Sequence, residues 1–184
     1  MRGSLATPCQ VKKTMDEKEI DTALRRHELT APIFGGVYSW DRLPHPAKFP
    51  TAYVVNLSKH NEFGTHWVVV FFEGELHGEY FDTFGRPVPE KLRGQLPRGF
   101  HVTRATIQVQ SPTATTCGQH CMTYILFKAH GLSLKEITRL FKDKTQELND
   151  KIAVELVREE FGKSTKVRDT RFLREWVKSY TMGA

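Results

Sequence analysis

The spacing of apolar residues changes twice along the chain, and these changes predict the order helix, strands, helices. Three runs rich in valine and aromatic residues predict β-strands at 51–57, 65–72 and 78–84. The second run is apolar almost throughout from Trp67, which indicates a central strand that is buried on both faces. The segment EGELHG predicts a hairpin turn after this run, and the alternating segment 100–110 predicts a further strand.

Helical spacing predicts one helix before the strands, at 15–29, where acidic residues come early and basic residues late. After the strands, a helix is predicted to begin at Cys117 and to stop at Gly131. Further helices are predicted at 132–142, 145–161 and 170–180. In the first of these three, Ser133 is the expected N-cap and Glu136 completes a capping box.

The segments between these elements are rich in turn residues. Residues 31–50 hold several prolines and a glycine pair, which predicts an extended segment with turns, and 87–99 predicts a turn with a short helix. The order of elements is typical of the α+β class. Residues 14–184 are therefore predicted to form a single domain, and residues 1–13 to be disordered or to include an added leader.

Composition narrows the class of protein. The chain has 184 residues, of which 39% are hydrophobic, enough for one domain with a sizeable core. No apolar run is long enough to span a membrane, and the first residues lack the apolar region of a secretory signal. The three cysteines, Cys9, Cys117 and Cys121, are too few for a disulfide scaffold, so we expect free thiols in a reducing, intracellular compartment.

The formal net charge of +6 comes from basic residues that are scattered along the chain. Such a balance favours weak contact with a nucleic-acid backbone over the recognition of particular bases. A basic nucleic-acid-binding protein without catalytic activity is therefore one hypothesis for the function.

The polar segment QSPTATT, residues 110–116, gives way abruptly to a helical run at Cys117. A cysteine at a helix N-terminus faces unpaired N–H groups and the positive end of the helix dipole, which favour the nucleophilic thiolate. Gly118, without a Cβ, would let a substrate carbonyl approach. Core packing is the alternative for Cys117 and the expected role of Cys121. Zinc binding by Cys117, His120 and Cys121 lacks a fourth ligand at the usual spacing, so no metal is expected.

A cysteine nucleophile needs a histidine and a group that orients it. His66 begins an apolar strand beside Trp67, whereas the other candidates are predicted in loops or at the surface: His27, His60, His77 and His130. Asp82 lies in the next strand, where a carboxylate needs a partner. Gln110 ends a strand and would supply an oxyanion donor, although Gln108 lies on the same strand face. The alternatives are a satisfied core histidine, a strand-end acid and, for Trp67, a packing role.

The order His66-Trp67, then Asp82 within YFDTFG, then Gln110, then Cys117-Gly118 resembles the adenovirus endopeptidase (adenain) family. It is more distantly similar to the cysteine proteases that remove SUMO and ubiquitin-like modifiers. The segments IFGGVYSWDRLP, THWVVVFF, YFDTFGRP and QVQSPTATTCGQHCMTYI follow the family in order and at comparable spacing. The resemblance covers about residues 15–130.

This resemblance implies a cysteine endopeptidase with Cys117 as nucleophile, His66 as general base and acid, Asp82 as its orienter and Gln110 as oxyanion donor. It implies an α+β fold in which helices flank a central mixed β-sheet and the nucleophile begins a buried helix, with Trp67 and Gly118 beside the substrate. Related proteases cleave viral structural precursors near Gly-Gly or Gly-X-Gly sequences during virion maturation, which places them in the host nucleus and the virion.

The resemblance also bears on partners. The chemistry is expected to need no cofactor, while DNA or a short peptide would act as activator and a protein as substrate; we expect a monomer that does not bind membranes. Two departures are visible: the orienting acid is Asp82 where adenain has Glu, and residues 83–109 lack the cysteine that ties adenain to its peptide. A disulfide-linked activator is therefore not expected. The alternative function is processing or removal of a ubiquitin-like modifier.

The segment IFGGV, residues 33–37, matches the glycine-containing sites that related proteases cut. One hypothesis is self-cleavage after Gly36, and the other is a turn made by two glycines.

Overall fold

A five-stranded sheet organises the part of the chain that the computed structural model describes, which is residues 14–162 and Glu175. The strands follow one another across the sheet in chain order and are β1 (Phe34–Ser39), β2 (Thr51–Asn56), β3 (Trp67–Phe72), β4 (His77–Phe81) and β5 (His101–Arg104). The two outer pairs, β1 with β2 and β4 with β5, are parallel, and the inner pairs are antiparallel. The sheet is therefore mixed, as the resemblance implied.

Five helices accompany the sheet within the described residues. They are α1 (Glu17–Arg26), α2 (Glu90–Arg93), α3 (Cys117–Ala129), α4 (Leu134–Lys142) and α5 (Gln146–Phe161). The α+β class and the helix flanked by Cys117 and Gly131 are confirmed, and Gly131 has the positive φ of 79° that ends a helix without strain. The predicted capping box at Ser133 is also confirmed, because its hydroxyl accepts from the amide of Glu136.

Side chains alternate between the two faces of the sheet along each strand, and both faces are covered by other parts of the chain. One face packs against α1, α3, α4 and α5 and contains Val54, Val69 and Phe81. The opposite face, with Val55 and Val70, is covered by Leu92 of α2 and by neighbouring loops. The central strand β3 is buried along its whole length, as its apolar run predicted.

The hairpin between β3 and β4 is confirmed by the antiparallel pairing of Phe72 with Gly78. The prediction for 31–50 was incomplete, because this segment contains β1 and a short 3₁₀ helix, Trp40–Arg42. The predicted strand 100–110 was too long. After Arg104 only isolated hydrogen bonds, such as that from the Val109 amide to the Thr83 carbonyl at 2.8 Å, follow the end of β4.

The glycine pair lies inside β1 and does not form a turn, so that interpretation was wrong. Gly36 is in register with Tyr53 of β2. A Cβ on Gly35 would stand 2.3 Å from Cε1 of Tyr53, so this glycine lets the tyrosine ring lie flat on the strand. Two earlier predictions, disorder at 1–13 and a last helix at 170–180, lie outside the described residues apart from Glu175. None of the helices in the described part is long and apolar enough to cross a membrane.

Candidate active site

His66 and Asp82 meet at one end of the central hairpin. His66 immediately precedes β3 and Asp82 immediately follows β4, and antiparallel pairing places the start of one strand beside the end of the other. Nε2 of His66 lies 2.8 Å from Oδ1 of Asp82. The same oxygen accepts the backbone N–H of Phe84 at 2.9 Å, and only 1% of Asp82 is exposed. The carboxylate is therefore fixed, and it fixes the direction of the imidazole.

Cys117 supplies the second partner of the imidazole. Its side chain lies close enough to His66 to raise the pKa of the imidazole, and because Nε2 faces Asp82, Nδ1 is the nitrogen that remains available to the sulfur. Cys117 is a free thiol at the first position of α3, where the first backbone N–H groups of the helix have no partner one turn earlier. The three residues that the sequence predicted to act together thus form one connected chain of contacts.

The charge balance around His66 favours its protonated form. Burial by itself lowers the pKa of the imidazole, but the hydrogen bonds and negative charges of Asp82 and Cys117 outweigh burial and raise the pKa from 6.5 to about 9. An imidazolium beside a sulfur at a helix N-terminus stabilises a thiolate. Near neutral pH the imidazole is therefore protonated and can act as a proton donor beside the sulfur.

Cys121 lies one turn further along α3 and is fully buried. Burial, with the nearby charges of Cys117 and Asp82, raises the pKa of this thiol well above its ordinary value. Cys121 is therefore a packing residue whose thiol resists ionisation, in agreement with the sequence prediction.

Gln110 is buried beside the segment that leads to Cys117. Its Oε1 accepts from the Thr83 hydroxyl at 2.7 Å, and its Nε2 donates to the carbonyl of Ala114 at 2.7 Å. These two bonds fix which end of the amide points toward the loop before the nucleophile, and one of the two Nε2 hydrogens is left over. The competing Gln108 donates instead to the backbone carbonyl of Gln110 at 2.9 Å.

Trp67 and Gly118 lie next to the two reactive residues, but their visible contacts are with the start of the described chain. Nε1 of Trp67 donates to the Met15 carbonyl at 3.1 Å. A Cβ on Gly118 would stand 3.1 Å from Cβ of Met15 and 3.2 Å from Cδ1 of Ile20. Gly118 therefore lets α1 pack against α3, and substrate contact by either residue stays a prediction.

Aromatic packing around His66 was not predicted from the sequence. The ring of Phe84 lies 5.0 Å from the imidazole, centroid to centroid, and the guanidinium of Arg86 lies 4.7 Å from the centre of the Phe84 ring. The strand register accounts for this contact. If the antiparallel pairing of Val69 with Phe81 is extended beyond the strand ends, His66 lies opposite Phe84.

A second buried histidine–carboxylate pair was also missed. Nε2 of His120 lies 2.9 Å from Oδ1 of Asp150, and only 1% of the His120 side chain is exposed. The sequence signal was an acid inside the amphipathic segment 145–161, close to the apolar face. The surface placement of His27 was wrong as well: it is 7% exposed and its ring packs against that of Phe161. In the described part of the chain, no group of three or more histidine, cysteine or acidic residues could hold a metal ion.

The fold is shared with a known protease. No family model matches the chain, and no curated protein matches it. Among solved structures, the chain is similar to the crystal structure of ASFV pS273R protease, with a TM-score of 0.50 and 19% identity over 78% of this chain and 67% of that chain. The Se-Met crystal structure of that protease matches with a TM-score of 0.41 and 21% identity, over 64% of this chain and 45% of that chain. The first match shows a common fold.

Proposed function

We propose that this protein is a cysteine endopeptidase in which Cys117 is the nucleophile, His66 the general base and acid, and Asp82 the residue that orients the imidazole. One observation carries the proposal: a single imidazole is hydrogen-bonded through Nε2 to a buried carboxylate and lies close enough to a cysteine at a helix N-terminus for that cysteine to raise its pKa. The fold shared with the ASFV protease supports this assignment. Nucleophile, base and orienter in hydrogen-bonding sequence are the signature of covalent catalysis.

The contacts define the steps of the proposed reaction. The Cys117 thiolate attacks the scissile carbonyl carbon, and the carbonyl oxygen becomes an oxyanion. Collapse of this intermediate breaks the C–N bond as His66 gives its proton to the leaving amine. Water then attacks the thioester while His66 accepts its proton, and the C–S bond breaks, which releases the acid product and restores the thiolate–imidazolium pair.

The oxyanion would be stabilised by two donors. The backbone N–H of Cys117 at the start of α3 is one, and the remaining Nε2 hydrogen of Gln110 is the other. Loss of one such donor typically slows the chemical step by about 10²- to 10³-fold. The position of Gln110 is supported by its two hydrogen bonds, which leave its amide group no freedom to turn over.

The proposed substrate is a viral structural precursor that is cut near Gly-Gly or Gly-X-Gly sequences. The adenain resemblance supports this choice, and it implies that Trp67 and Gly118 lie beside the substrate. Removal of a ubiquitin-like modifier would use the same catalytic residues on a different substrate. A peptide library, a panel of capsid-type peptides and fluorogenic tails of ubiquitin-like modifiers would separate the two functions by kcat/KM. Cleavage of the modifier tails alone would replace the precursor-protease proposal.

The experiment that tests the enzyme itself compares wild type with Cys117→Ala and His66→Ala on that library. We expect cleavage by wild type and none above background by Cys117→Ala, with circular dichroism unchanged, because the sulfur is the attacking atom. Equal cleavage by wild type and Cys117→Ala would exclude Cys117 as the nucleophile.

Alkylation distinguishes the enzyme from a nucleic-acid-binding protein without catalytic activity. Iodoacetamide at mildly acidic pH should label Cys117 of wild type selectively, and His66→Ala should slow that labelling, because the imidazolium no longer supports the thiolate. Cys121, buried and with a raised pKa, serves as an internal standard in the same peptide map. Equally slow labelling of all three thiols, Cys9, Cys117 and Cys121, would support the non-catalytic protein.

DNA is the activator that the net charge of +6 and the adenain resemblance favour. If DNA phosphates bind to the basic side chains, any acceleration by DNA should fall steeply as salt rises from about 50 to 200 mM. An acceleration that is independent of salt would contradict activation through the phosphate backbone.

A further inference from the structure

Asp150 lies near the start of α5, and its carboxylate is directed into the protein, with 11% of the side chain exposed. It accepts three hydrogen bonds: from the amide of Ser111 at 3.1 Å, from the hydroxyl of Thr116 at 2.5 Å and from Nε2 of His120 at 2.9 Å. A carboxylate that has left water is costly unless both its oxygens find donors. Here both oxygens are satisfied by donors from one short stretch of chain.

The first two donors are the end residues of segment 111–116, which we term the nucleophile loop. Its first residue follows Gln110 and its last precedes Cys117. The third donor lies in the first turn of α3. One carboxylate on α5 thus fastens both ends of the nucleophile loop and the start of the helix that carries the nucleophile.

The capping pattern of α3 agrees with this arrangement. Thr116 occupies the N-cap position, where a threonine hydroxyl ordinarily accepts a backbone N–H of the first turn, but it makes no such bond. Its hydroxyl donates to Asp150 instead. The Thr116 hydroxyl therefore makes its hydrogen bond to α5 and does not cap its own helix. This contact holds the loop.

The nucleophile loop also determines where Gln110 points. Nε2 of Gln110 donates to the carbonyl of Ala114 in the middle of the loop. If the two ends of the loop move, that carbonyl moves with them, and the second N–H of the amide changes direction. A displacement of about 1 Å in a catalytic group is enough to lower a rate by roughly 10²-fold.

We propose that Asp150 is a positioning residue that holds the nucleophile loop, and through it the Gln110 amide and the Cys117 N–H, in the geometry that an oxyanion requires. This inference rests on the proposed function and deepens it. Asp150 touches neither substrate nor sulfur in this role; it acts through Ser111 and Thr116.

The test substitutes Asp150→Asn, which keeps the shape but replaces one acceptor oxygen by an NH₂ group that opposes at least one of the three donors. We expect kcat for a cleaved peptide to fall by about 10- to 100-fold, because oxyanion donors act only in the transition state, with KM within about twofold. Alkylation of Cys117 by iodoacetamide needs the thiolate but no oxyanion donor, so its rate should change less than about threefold.

Asn149→Ala is the matched control, because Asn149 is the preceding residue, is also buried, and donates to the Phe141 carbonyl of α4 at 3.2 Å. It should lower stability without changing the ratio of the cleavage rate to the alkylation rate. A second pair avoids any folding problem at Asp150: Thr116→Val should lower kcat, and Thr116→Ser, which keeps the hydroxyl, should restore it. Parallel loss of cleavage and alkylation in Asp150→Asn, or an unchanged kcat, overturns the proposal.

Hydrogen exchange provides a readout that does not depend on activity. In Asp150→Asn the amides of the nucleophile loop should exchange at least about tenfold faster than in wild type, while those of β3 stay equally protected. Unchanged loop protection overturns the positioning role even if activity falls. If wild type cleaves no peptide, the proposed function fails, and the exchange comparison still decides whether Asp150 holds the loop.

Discussion

The hydroxyl of Thr83 donates a hydrogen bond to Oε1 of Gln110 at 2.7 Å, between two fully buried side chains. Thr83 directly follows Asp82, which contacts His66. Adjacent residues that follow β4 therefore hold two different parts of the site: Asp82 orients the imidazole of His66, and Thr83 orients the proposed oxyanion donor. The chain leaves β4 with its side chains on opposite sides, which makes this division possible.

We expect Thr83→Val to lower kcat about tenfold, because Oε1 of Gln110 loses its donor and the amide is no longer held with Nε2 toward the nucleophile loop. The variant should also unfold with about 1–3 kcal/mol less free energy, since a buried acceptor is left without a partner. Steady-state kinetics and urea unfolding measure the two effects.

Two controls sharpen this prediction. Thr83→Ser keeps the hydroxyl and should retain most of the activity. Thr123→Val removes a buried hydroxyl that has no hydrogen-bond partner in the described structure, so it should change neither kcat nor stability by much. If Thr83→Val has the same kcat as wild type, the orientation of the Gln110 amide by Thr83 does not contribute to the chemical step.

The pH dependence of cleavage follows from the pKa of His66. In the proposed reaction the leaving amine takes its proton from the imidazolium, and that proton is lost as pH rises through about 9. We therefore expect kcat/KM to fall on the alkaline side near pH 9. Asp82→Asn removes the negative charge and weakens the hydrogen bond to the imidazole, and both of these raise the pKa of His66 against the effect of burial. The pKa, and with it the alkaline limb of the pH profile, should therefore move toward the ordinary value of 6.5.

The same variant should lower the maximal kcat by roughly 10²-fold, because the imidazole loses the partner that orients it. Initial rates of peptide cleavage between pH 5 and 10 in a constant-ionic-strength buffer measure both effects. An alkaline limb at the same pH in wild type and Asp82→Asn would show that Asp82 does not set the pKa of His66.

The sequence was most informative where residue type alone is diagnostic. A histidine, an acid, a glutamine and a cysteine in that order, the first at the start of an apolar strand and the last at a helix start, predicted a connected site. The contact of His66 with Asp82 then follows from the pairing of consecutive strands by a short hairpin.

Other features depend on packing between distant elements. Asp150 reads as one more acid in an amphipathic helix, and its donors lie 30 to 39 residues earlier in the chain. β1 was not predicted for a similar reason: it is a parallel edge strand that is stabilised by pairing with β2. Gly35 is required there because the ring of Tyr53 fills the space. No local sequence pattern predicts either of these contacts.

Gly118→Ala tests the packing of α1 against the nucleophile helix. In an open helix, this change stabilises by about 0.5–1 kcal/mol. Here the new Cβ would stand 3.1 Å from Cβ of Met15 and 3.2 Å from Cδ1 of the fully buried Ile20. We expect the crowding of the new Cβ to outweigh the better helix propensity of alanine, with a net loss of about 1 kcal/mol in the free energy of unfolding.

Gly94→Ala is the matched control. Gly94 has helical φ and ψ, and a Cβ there would meet nothing closer than the Glu90 carbonyl at 3.7 Å. It should raise the free energy of unfolding by about 0.5 kcal/mol. A stabilised Gly118→Ala in the same urea titrations would mean that α1 moves aside at little cost.

Two buried tyrosines carry opposite predictions. The hydroxyl of Tyr124 donates to the carboxylate of Glu79, which also contacts Nζ of Lys128 at 3.0 Å. The hydroxyl of Tyr80 is buried with no hydrogen-bond partner in the described structure. Removal of a donor from a buried carboxylate costs about 1–3 kcal/mol, whereas removal of an unpaired hydroxyl relieves a desolvated group.

We therefore expect Tyr124→Phe to lower the free energy of unfolding by about 2 kcal/mol and Tyr80→Phe to leave it unchanged or to raise it by up to about 1 kcal/mol. The two substitutions remove the same atom, one from α3 in the core on one face of the sheet and one from β4 on the opposite face, so the difference in side-chain volume cancels. Chemical unfolding of both variants at one pH gives the comparison. Equal losses would show that the Glu79 carboxylate gains no net stability from the Tyr124 hydroxyl.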